Sequence, residues 1–137
     1  MLHDLNLATK SGRVMLVGAG PGPADLMTVR AQRAVQAAQA VLYDALVDPD
    51  VLTLAPRACL MIQTGKRANQ PSMTQAAINQ LMLRLARRGL RVVRLKSGDP
   101  SVFGRSGEET AFLEAHGVHV EIAVSYTHLT LPTKRIV

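Results

Sequence analysis

The chain has 137 residues, which is enough for one domain and short for two. Nearly half of the residues are hydrophobic (47%), so the chain can bury a core, but no apolar stretch approaches the length of a membrane span. The net charge of +6 favours a polyanionic partner, yet aromatic residues make up only 3%, which leaves few stacking platforms for single-stranded nucleic acid.

The first forty residues predict a leader, a strand and a helix. Residues 1–12 look like a loose leader, and 14–17 form a short apolar strand that ends in a turn rich in glycine and proline at 18–23. Apolar residues at helical spacing then predict a helix over 24–38.

The rest of the chain continues to alternate strands with helices. Strands are predicted at 41–43, 60–62, 91–96 and 119–123, and helices directly after Pro49, at 72–88 and at 107–116. Ser72 and Gln75 are interpreted as a capping box, and Glu108 and Glu109 as favourable charges at the positive end of the last helix. This alternation predicts an α/β fold with a mostly parallel sheet flanked by helices.

Polar residues follow three of the predicted strands. Asp44 comes directly after the second strand, Lys66 follows the third, and Asp99 lies in the loop after the fourth. Because the carboxyl ends of parallel strands share one edge, where ligands gather, we expect these residues to meet there. Taken singly, Asp44 is either a base, a ligand contact or a turn cap, and Lys66 is either an anion or proton partner or an exposed loop charge.

Three further features of the sequence bear on a possible site: a glycine-rich turn, the four histidines and the single cysteine. Gly18-x-Gly20-x-Gly22 follows the first strand but lacks the G-x-G-x-x-G spacing, so it is either a tight turn or a ligand loop. The four histidines do not cluster, and no metal site is predicted. Cys59, the single cysteine, fits a reducing, cytoplasmic location, and its neighbours Leu60 and Met61 predict a core thiol.

From Arg13 to Ala123 the chain resembles the N-terminal domain of the uroporphyrinogen-III C-methyltransferases, a branch of the tetrapyrrole methylase family. The resemblance is carried by four segments in the family's order and spacing: 17–22 (VGAGPG), 41–47 (VLYDALV), 65–67 (GKR) and 92–109, which contains RLKSGDPSVFGRSGEE.

The resemblance implies transfer of methyl groups from S-adenosylmethionine to two carbons of uroporphyrinogen III, which gives precorrin-2 for sirohaem and cobalamin synthesis. Asp44 would be the proton acceptor and Lys66 the proton donor. With such a substrate, Arg67 and Arg105 are candidates to clamp its carboxylates, and Arg105 is alternatively a salt-bridge partner of Glu108 or Glu109. Relatives of this kind are commonly homodimers. The residues that would bind the cofactor are Pro21, Ser97, Gly98, Asp99 and Val102.

The chain also departs from the family pattern. Ser97 and Ser106 stand where glycines are usual, and 23–25 reads Pro-Ala-Asp rather than Asp-Pro-Glu, changes expected to weaken cofactor binding without altering the fold. The family continues beyond Val124 into a second domain, whereas residues 125–137 do not follow it. We therefore expect one family domain at 13–124 and little or no activity from the chain alone. The tail is either an assembly artefact of a truncated gene, which we expect, or the genuine end of a short protein.

A different class of function remains open at this point. The chain's basic residues also fit a stand-alone nucleic-acid-binding module, whose binding would fall steeply with salt. The arginines at 84, 87, 88 and 91 are otherwise interpreted as a solvated surface.

Overall fold

The computed structural model describes residues 12–20, 22–65, 72–97 and 106–123. Five strands alternate with helices in these residues, and the strands form one parallel sheet in the order β3-β2-β4-β1-β5. The predicted α/β class with a parallel sheet is confirmed. The elements are β1 (Arg13–Gly18), a 3-10 helix (Ala24–Leu26), α1 (Val29–Gln36), β2 (Ala40–Tyr43), α2 (Pro49–Leu52), β3 (Leu60–Gln63), α3 (Gln75–Arg87), β4 (Arg91–Lys96), α4 (Ser106–Ala115) and β5 (Val120–Ala123).

Helices cover both faces of the sheet, and successive strand residues point to opposite faces. Leu16 belongs to the apolar cluster that contains Met82 of α3 and Leu113 of α4. Val17 belongs to the cluster that contains Val35 of α1. Both faces of the central strands are therefore buried, which explains their near-continuous apolar sequences.

The topology opens a crevice at the carboxyl edge of the sheet. β4 lies between β2 and β1, and Leu95 of β4 is in register with both Val17 and Tyr43, so the three strands end at one level. The chain leaves β1 and β2 toward the face covered by α1 and α2, and it leaves β4 toward α4 on the other face. In parallel α/β sheets, ligands bind at the carboxyl ends of adjacent strands whose following helices pack on opposite faces.

The single helix predicted over 24–38 is wrong. Met27 and Thr28 have extended backbones that separate the 3-10 helix from α1. The Thr28 hydroxyl accepts a hydrogen bond from the Ala31 amide at 3.1 Å, so Thr28 caps α1. A capping side chain stabilises a helix start by satisfying an otherwise unpaired amide, and here it outweighs the continuous apolar spacing.

The predicted capping box at the start of α3 is also wrong. α3 begins at Gln75, and its cap is Thr74, whose hydroxyl accepts from the Ala77 amide at 3.0 Å. The Gln75 side chain instead donates a hydrogen bond to the Glu109 carboxylate at 3.0 Å. The Gln75 side chain, which the local sequence assigned to the cap, therefore makes a tertiary contact instead.

Gly12, which the sequence analysis assigned to a loose leader, is packed against the rest of the domain. The Gly12 amide donates to the Ala86 carbonyl at 2.8 Å, and a side chain at this position would collide with the backbone of Leu90. Gly12 is thus packed against the end of α3 and would not tolerate a Cβ atom. Residues 1–11 lie outside the described part of the chain.

The prediction that Leu60 and Met61 bury Cys59 is wrong, because β3 is an edge strand and leaves both of those side chains exposed. Cys59 is half-buried against the α1 side of the sheet, where burial raises the pKa of its thiol. The arginines at 84, 87, 88 and 91 are exposed, as the solvated-surface interpretation expects. Among the described residues, no helix is long and apolar enough to cross a bilayer.

Candidate active site at the carboxyl edge of the sheet

Asp44 bridges the ends of two neighbouring strands. Its Oδ1 accepts a hydrogen bond from the Leu46 amide at 2.9 Å, which closes a turn after β2. Its Oδ2 accepts from the Ser97 amide at 3.2 Å, which is the first residue after β4. The carboxylate therefore does cap a turn, and it also ties β2 to β4 while remaining partly open to the edge of the sheet.

The end of β3 is fixed beside the same carboxylate. Thr64 is buried, and its amide donates to the Tyr43 carbonyl at 2.8 Å. Its own carbonyl accepts from the Met73 amide at 3.1 Å, so residues 64 and 73 are held together at the end of β3. Lys66 and Arg67 lie between residues 64 and 73 in the sequence and are outside the described residues.

Gly65 makes a close approach that brings the β3 loop against Asp44. A Cβ atom built on Gly65 would lie 2.6 Å from the Ala45 amide nitrogen and 3.3 Å from the Asp44 α-carbon. Only glycine fits at this distance without a backbone shift. The residue immediately before Lys66 thus touches the backbone that carries Asp44.

The Gly65→Ala substitution tests this contact. We expect it to lower the free energy of unfolding by about 1–3 kcal/mol, because the added methyl group forces the Asp44–Ala45 backbone away. Gly107→Ala is the matched control, since a Cβ at Gly107 in α4 meets nothing within 4 Å. Urea unfolding of both variants is the measurement, and equal stabilities would contradict the close approach.

The glycine turn after β1 forms one wall of an open cleft. Gly20 has a φ of +83°, a left-handed conformation that favours glycine. A cleft of about 340 Å³ lies between this turn and residues 45–49 after Asp44. The Ala19 amide donates to the Lys96 carbonyl at 2.8 Å, which joins the turn to the end of β4. The pattern is therefore both a tight turn and the border of a cleft.

Two serines that stand at usual glycine positions have buried hydroxyls. Neither Ser97 Oγ nor Ser106 Oγ has a hydrogen-bond partner among the described residues. They lie at the two ends of residues 98–105, which are outside that part of the structure. Ser97 directly follows β4, so its hydroxyl is a polar group at the carboxyl edge beside Asp44.

A buried ionic cluster lies under this edge, between the sheet and the helices α3 and α4. Glu109 is fully buried, and its Oε2 lies 3.1 Å from Arg94 Nε while its Oε1 lies 3.0 Å from Lys96 Nζ. Gln75 donates to Oε2 at 3.0 Å, and Arg94 also donates to the Leu42 carbonyl at 3.4 Å. One carboxylate thus faces two buried cations.

The cluster shifts the pKa of both of its titrating members. Burial alone would raise the pKa of Glu109, but the Arg94 charge, the Gln75 hydrogen bond and Lys96 together hold it below the ordinary value of 4.5. Burial lowers the pKa of Lys96 below 10.5, and the attraction of Glu109 offsets only part of that effect. Arg94, by repulsion, lowers the pKa of Lys96 further.

The direction of the Glu109 pKa shift predicts how the free energy of unfolding depends on pH. Because the pKa of Glu109 is lower in the folded state, its contribution is present above about pH 4.5 and is lost as the pH falls through the folded value. We expect the difference in unfolding free energy between the wild type and Glu109→Gln to shrink over that interval. Urea unfolding at a series of pH values measures it, and a constant difference down to about pH 3 would contradict the assignment.

The sequence analysis missed this cluster, although one signal was available. Val92, Arg94 and Lys96 alternate in β4, so they share a face of the most central strand, where two cations require a buried anion. Glu109 was instead interpreted only as a favourable charge at the positive end of the last helix. The structure shows that it faces the sheet.

The structure therefore brings together Asp44, Ser97 and Gly65, the residue before Lys66, whereas the expected meeting of Asp44 with Lys66 and Asp99 stays a prediction. Pro21, Lys66, Gly98, Asp99, Val102 and Arg105 lie outside the described residues. In the described ranges, no group of three or more His, Cys, Asp or Glu side chains is placed to hold a metal ion.

The described residues form a parallel α/β domain with a glycine turn, a cleft and a carboxylate at the carboxyl edge of its sheet, the edge at which α/β domains commonly bind ligands. The sequence profile of the tetrapyrrole (corrin/porphyrin) methylases matches residues 13–124, and the chain belongs to that family. It is 49% identical over 107 residues to a uroporphyrinogen-III C-methyltransferase of Synechococcus elongatus, covering 78% of this chain and 44% of the relative. It is 48% identical over 116 residues to a siroheme synthase of Nitrosospira multiformis, covering 85% of this chain and 25% of the relative.

Solved structures agree with this assignment. A uroporphyrin-III C-methyltransferase from Thermus thermophilus matches with a TM-score of 0.73 at 40% identity, over 85% of this chain and 49% of that one. The enzyme of the same organism complexed with S-adenyl homocysteine matches with a TM-score of 0.69 at 50% identity, over 86% and 46%. The chain thus spans from a quarter to half of the length of these relatives.

Proposed function

We propose that the chain supplies the first half of an S-adenosylmethionine-dependent methyltransferase that converts uroporphyrinogen III into precorrin-2. The observation that carries the proposal is Asp44, held by the Ser97 amide at 3.2 Å where β2 and β4 end beside the cleft. The enzyme is proposed to act in the cytoplasm as a homodimer. Family membership and the 40–50% identity to methyltransferases of known structure support it.

The described residues fit a cofactor at this edge. The left-handed Gly20 turn brings backbone close to the cleft without a side chain, and the buried Ser97 hydroxyl offers a polar contact. Pro21, Gly98, Asp99 and Val102 are proposed to complete the site. When bound, S-adenosylmethionine supplies an activated methyl group, so the protein's task is to align the reacting atoms and exclude water.

Asp44 is proposed to act as the proton acceptor. A pyrrole carbon becomes a better nucleophile as its ring loses a proton, and a carboxylate at the rim is placed to take that proton up. Each carboxylate oxygen of Asp44 already accepts one backbone hydrogen bond, which fixes its direction and leaves lone pairs free for a proton. Lys66 is proposed as proton donor, and Arg67 and Arg105 as partners of the substrate carboxylates.

The test uses a chimera, in which residues 1–123 are joined to the part of the Thermus thermophilus enzyme that lies beyond the match. With uroporphyrinogen III and S-adenosylmethionine, the chimera should form a product heavier by two methyl groups. The 137-residue chain alone should form none, because it spans less than half of the solved relatives. A folded chimera that binds S-adenosylhomocysteine but methylates only other tetrapyrroles would overturn the substrate, and one that binds neither ligand would overturn the function.

A further inference from the structure

The Glu109 carboxylate contacts residues that adjoin both chain segments of the proposed site, the one before α3 and the one after β4. Its carboxylate contacts Gln75, the first residue of α3, and also Arg94 and Lys96 near the end of β4. The segment before α3 carries Lys66, and the segment between Lys96 and Glu109 carries the proposed cofactor residues. A single buried side chain therefore joins the strand and the two helices from which these segments depart.

Lys96 extends this contact to the rim of the sheet. Its side chain pairs with Glu109 at 3.0 Å, while its carbonyl accepts from the Ala19 amide at 2.8 Å. The next amide along the chain, that of Ser97, holds Asp44 at 3.2 Å. The backbone of residues 96 and 97 is thus held by the Lys96–Glu109 ion pair on one side. On the other side it holds the Ala19 amide and the Asp44 carboxylate by hydrogen bonds.

We propose that Glu109 is a positioning residue, which acts through Lys96 to place the Ser97 amide and hence the Asp44 carboxylate. The catalytic consequence of this inference rests on the proposed function, whereas the placement itself does not. Neither Glu109 nor Lys96 reaches the cleft, since both side chains are almost completely buried. Their role is therefore to hold geometry rather than to touch the reactants.

The charge balance explains why the position depends on Glu109. Arg94, Lys96 and Glu109 carry a net charge of +1 when all are ionised, and removing the carboxylate charge would raise the net charge of these three buried side chains to +2. Buried charges without a partner are strongly disfavoured. The Lys96 side chain would then move away from the buried cluster, and the backbone at residue 97 would no longer be held by the Lys96–Glu109 contact.

Hydrogen exchange of the 137-residue chain tests the placement directly. In Glu109→Gln we expect the Ser97 amide to exchange about tenfold faster or more than in the control, because a hydrogen bond to a charged acceptor is lost. The control is Val35→Ala, a core truncation in α1 on the opposite face of the sheet, compared at matched global stability. Equal Ser97 exchange in the two variants would overturn the proposal.

Lys96→Met provides the same test if Glu109→Gln does not fold. It removes the side-chain link between Glu109 and residue 96 while leaving Arg94 and Gln75 in place to contact Glu109. Faster exchange at Ser97 is again expected, and unchanged exchange would overturn the proposal.

The chimera separates this inference from the proposed function. Lys96→Met should weaken S-adenosylhomocysteine binding by about tenfold, whereas Val35→Ala should change it by less than about twofold. A chimera without any S-adenosylhomocysteine binding would overturn the function, and the exchange experiment would still decide the role of Glu109. Equal binding by the two variants would overturn the catalytic consequence of the placement.

Discussion

The Asp44→Ala substitution is expected to lower the rate of methyl transfer by the chimera by about a hundredfold to ten-thousandfold, the usual contribution of a general base. The structure gives a physical reason for an effect of this size. The carboxylate is held by the Leu46 and Ser97 amides at the end of β2, so it is already oriented before a ligand arrives. The assay is the initial rate of product formation at saturating concentrations of both substrates.

Asp44→Asn separates the base from the turn cap. Its amide oxygen still accepts a backbone hydrogen bond and preserves much of the turn, but it cannot take up a proton at neutral pH. We expect nearly the same loss of rate as with alanine, while Asp25→Ala, which removes an exposed carboxylate in the 3-10 helix, leaves the rate unchanged. An Asp44→Asn chimera with the parental rate would show that the carboxylate serves only as a cap.

The Glu109→Gln substitution is expected to lower the free energy of unfolding at neutral pH by about 3–5 kcal/mol, the range for breaking one side of a buried ion pair. This is a large share of the 5–15 kcal/mol that typically stabilises a domain. The loss arises because Arg94 and Lys96, whose side chains are 7% and 2% exposed, are left facing a neutral amide. Urea unfolding of the 137-residue chain at neutral pH measures it.

Glu114→Gln is the matched control for that experiment. Glu114 lies in the same helix and undergoes the same chemical change, but its side chain is exposed to solvent. We expect it to alter stability by less than about 1 kcal/mol. If Glu109→Gln were no more costly than Glu114→Gln, the buried cluster would not stabilise the fold as described.

The strands were predicted closely because their sequences leave little choice. β4 has the predicted bounds, Arg91–Lys96, since an apolar run between Gly89 and a Gly-Pro loop has no competing structure. α4 begins and ends one residue earlier than predicted. The parallel order then follows from the alternation of strands and helices, which restricts how the sheet can be connected.

The helix starts were predicted less well because several side chains compete for each cap. Thr28 and Thr74 both cap helices, yet neither was selected, since apolar periodicity ran through the first and Ser72 offered an apparently complete box near the second. Capping is decided by backbone geometry over two or three residues, and it is worth about 1 kcal/mol. Such small local differences are hard to rank from sequence.

Some contacts of the candidate site could likewise be predicted from the sequence, and others could not. The meeting of Asp44 with the loop after β4 could be predicted, because parallel strands bring their carboxyl ends to one edge. The contact between Glu109 and β4 could not be located, because it depends on how α4 packs against the sheet between residues 13 to 15 positions apart in the sequence. Close approaches such as that of Gly65 also depend on tertiary packing rather than on local pattern.

The central claim is that ligand binds where β1, β2 and β4 end, between the Gly20 turn and Asp44. Amide chemical-shift mapping of the chimera during titration with S-adenosylhomocysteine tests it most directly. The largest chemical-shift changes should fall on Gly20, Leu46 and Ser97. Little change is expected at Arg13 and Arg91, which begin β1 and β4 at the opposite, amino-terminal edge of the sheet. Shifts confined to that opposite edge, or none in residues 12–123, would contradict the claim.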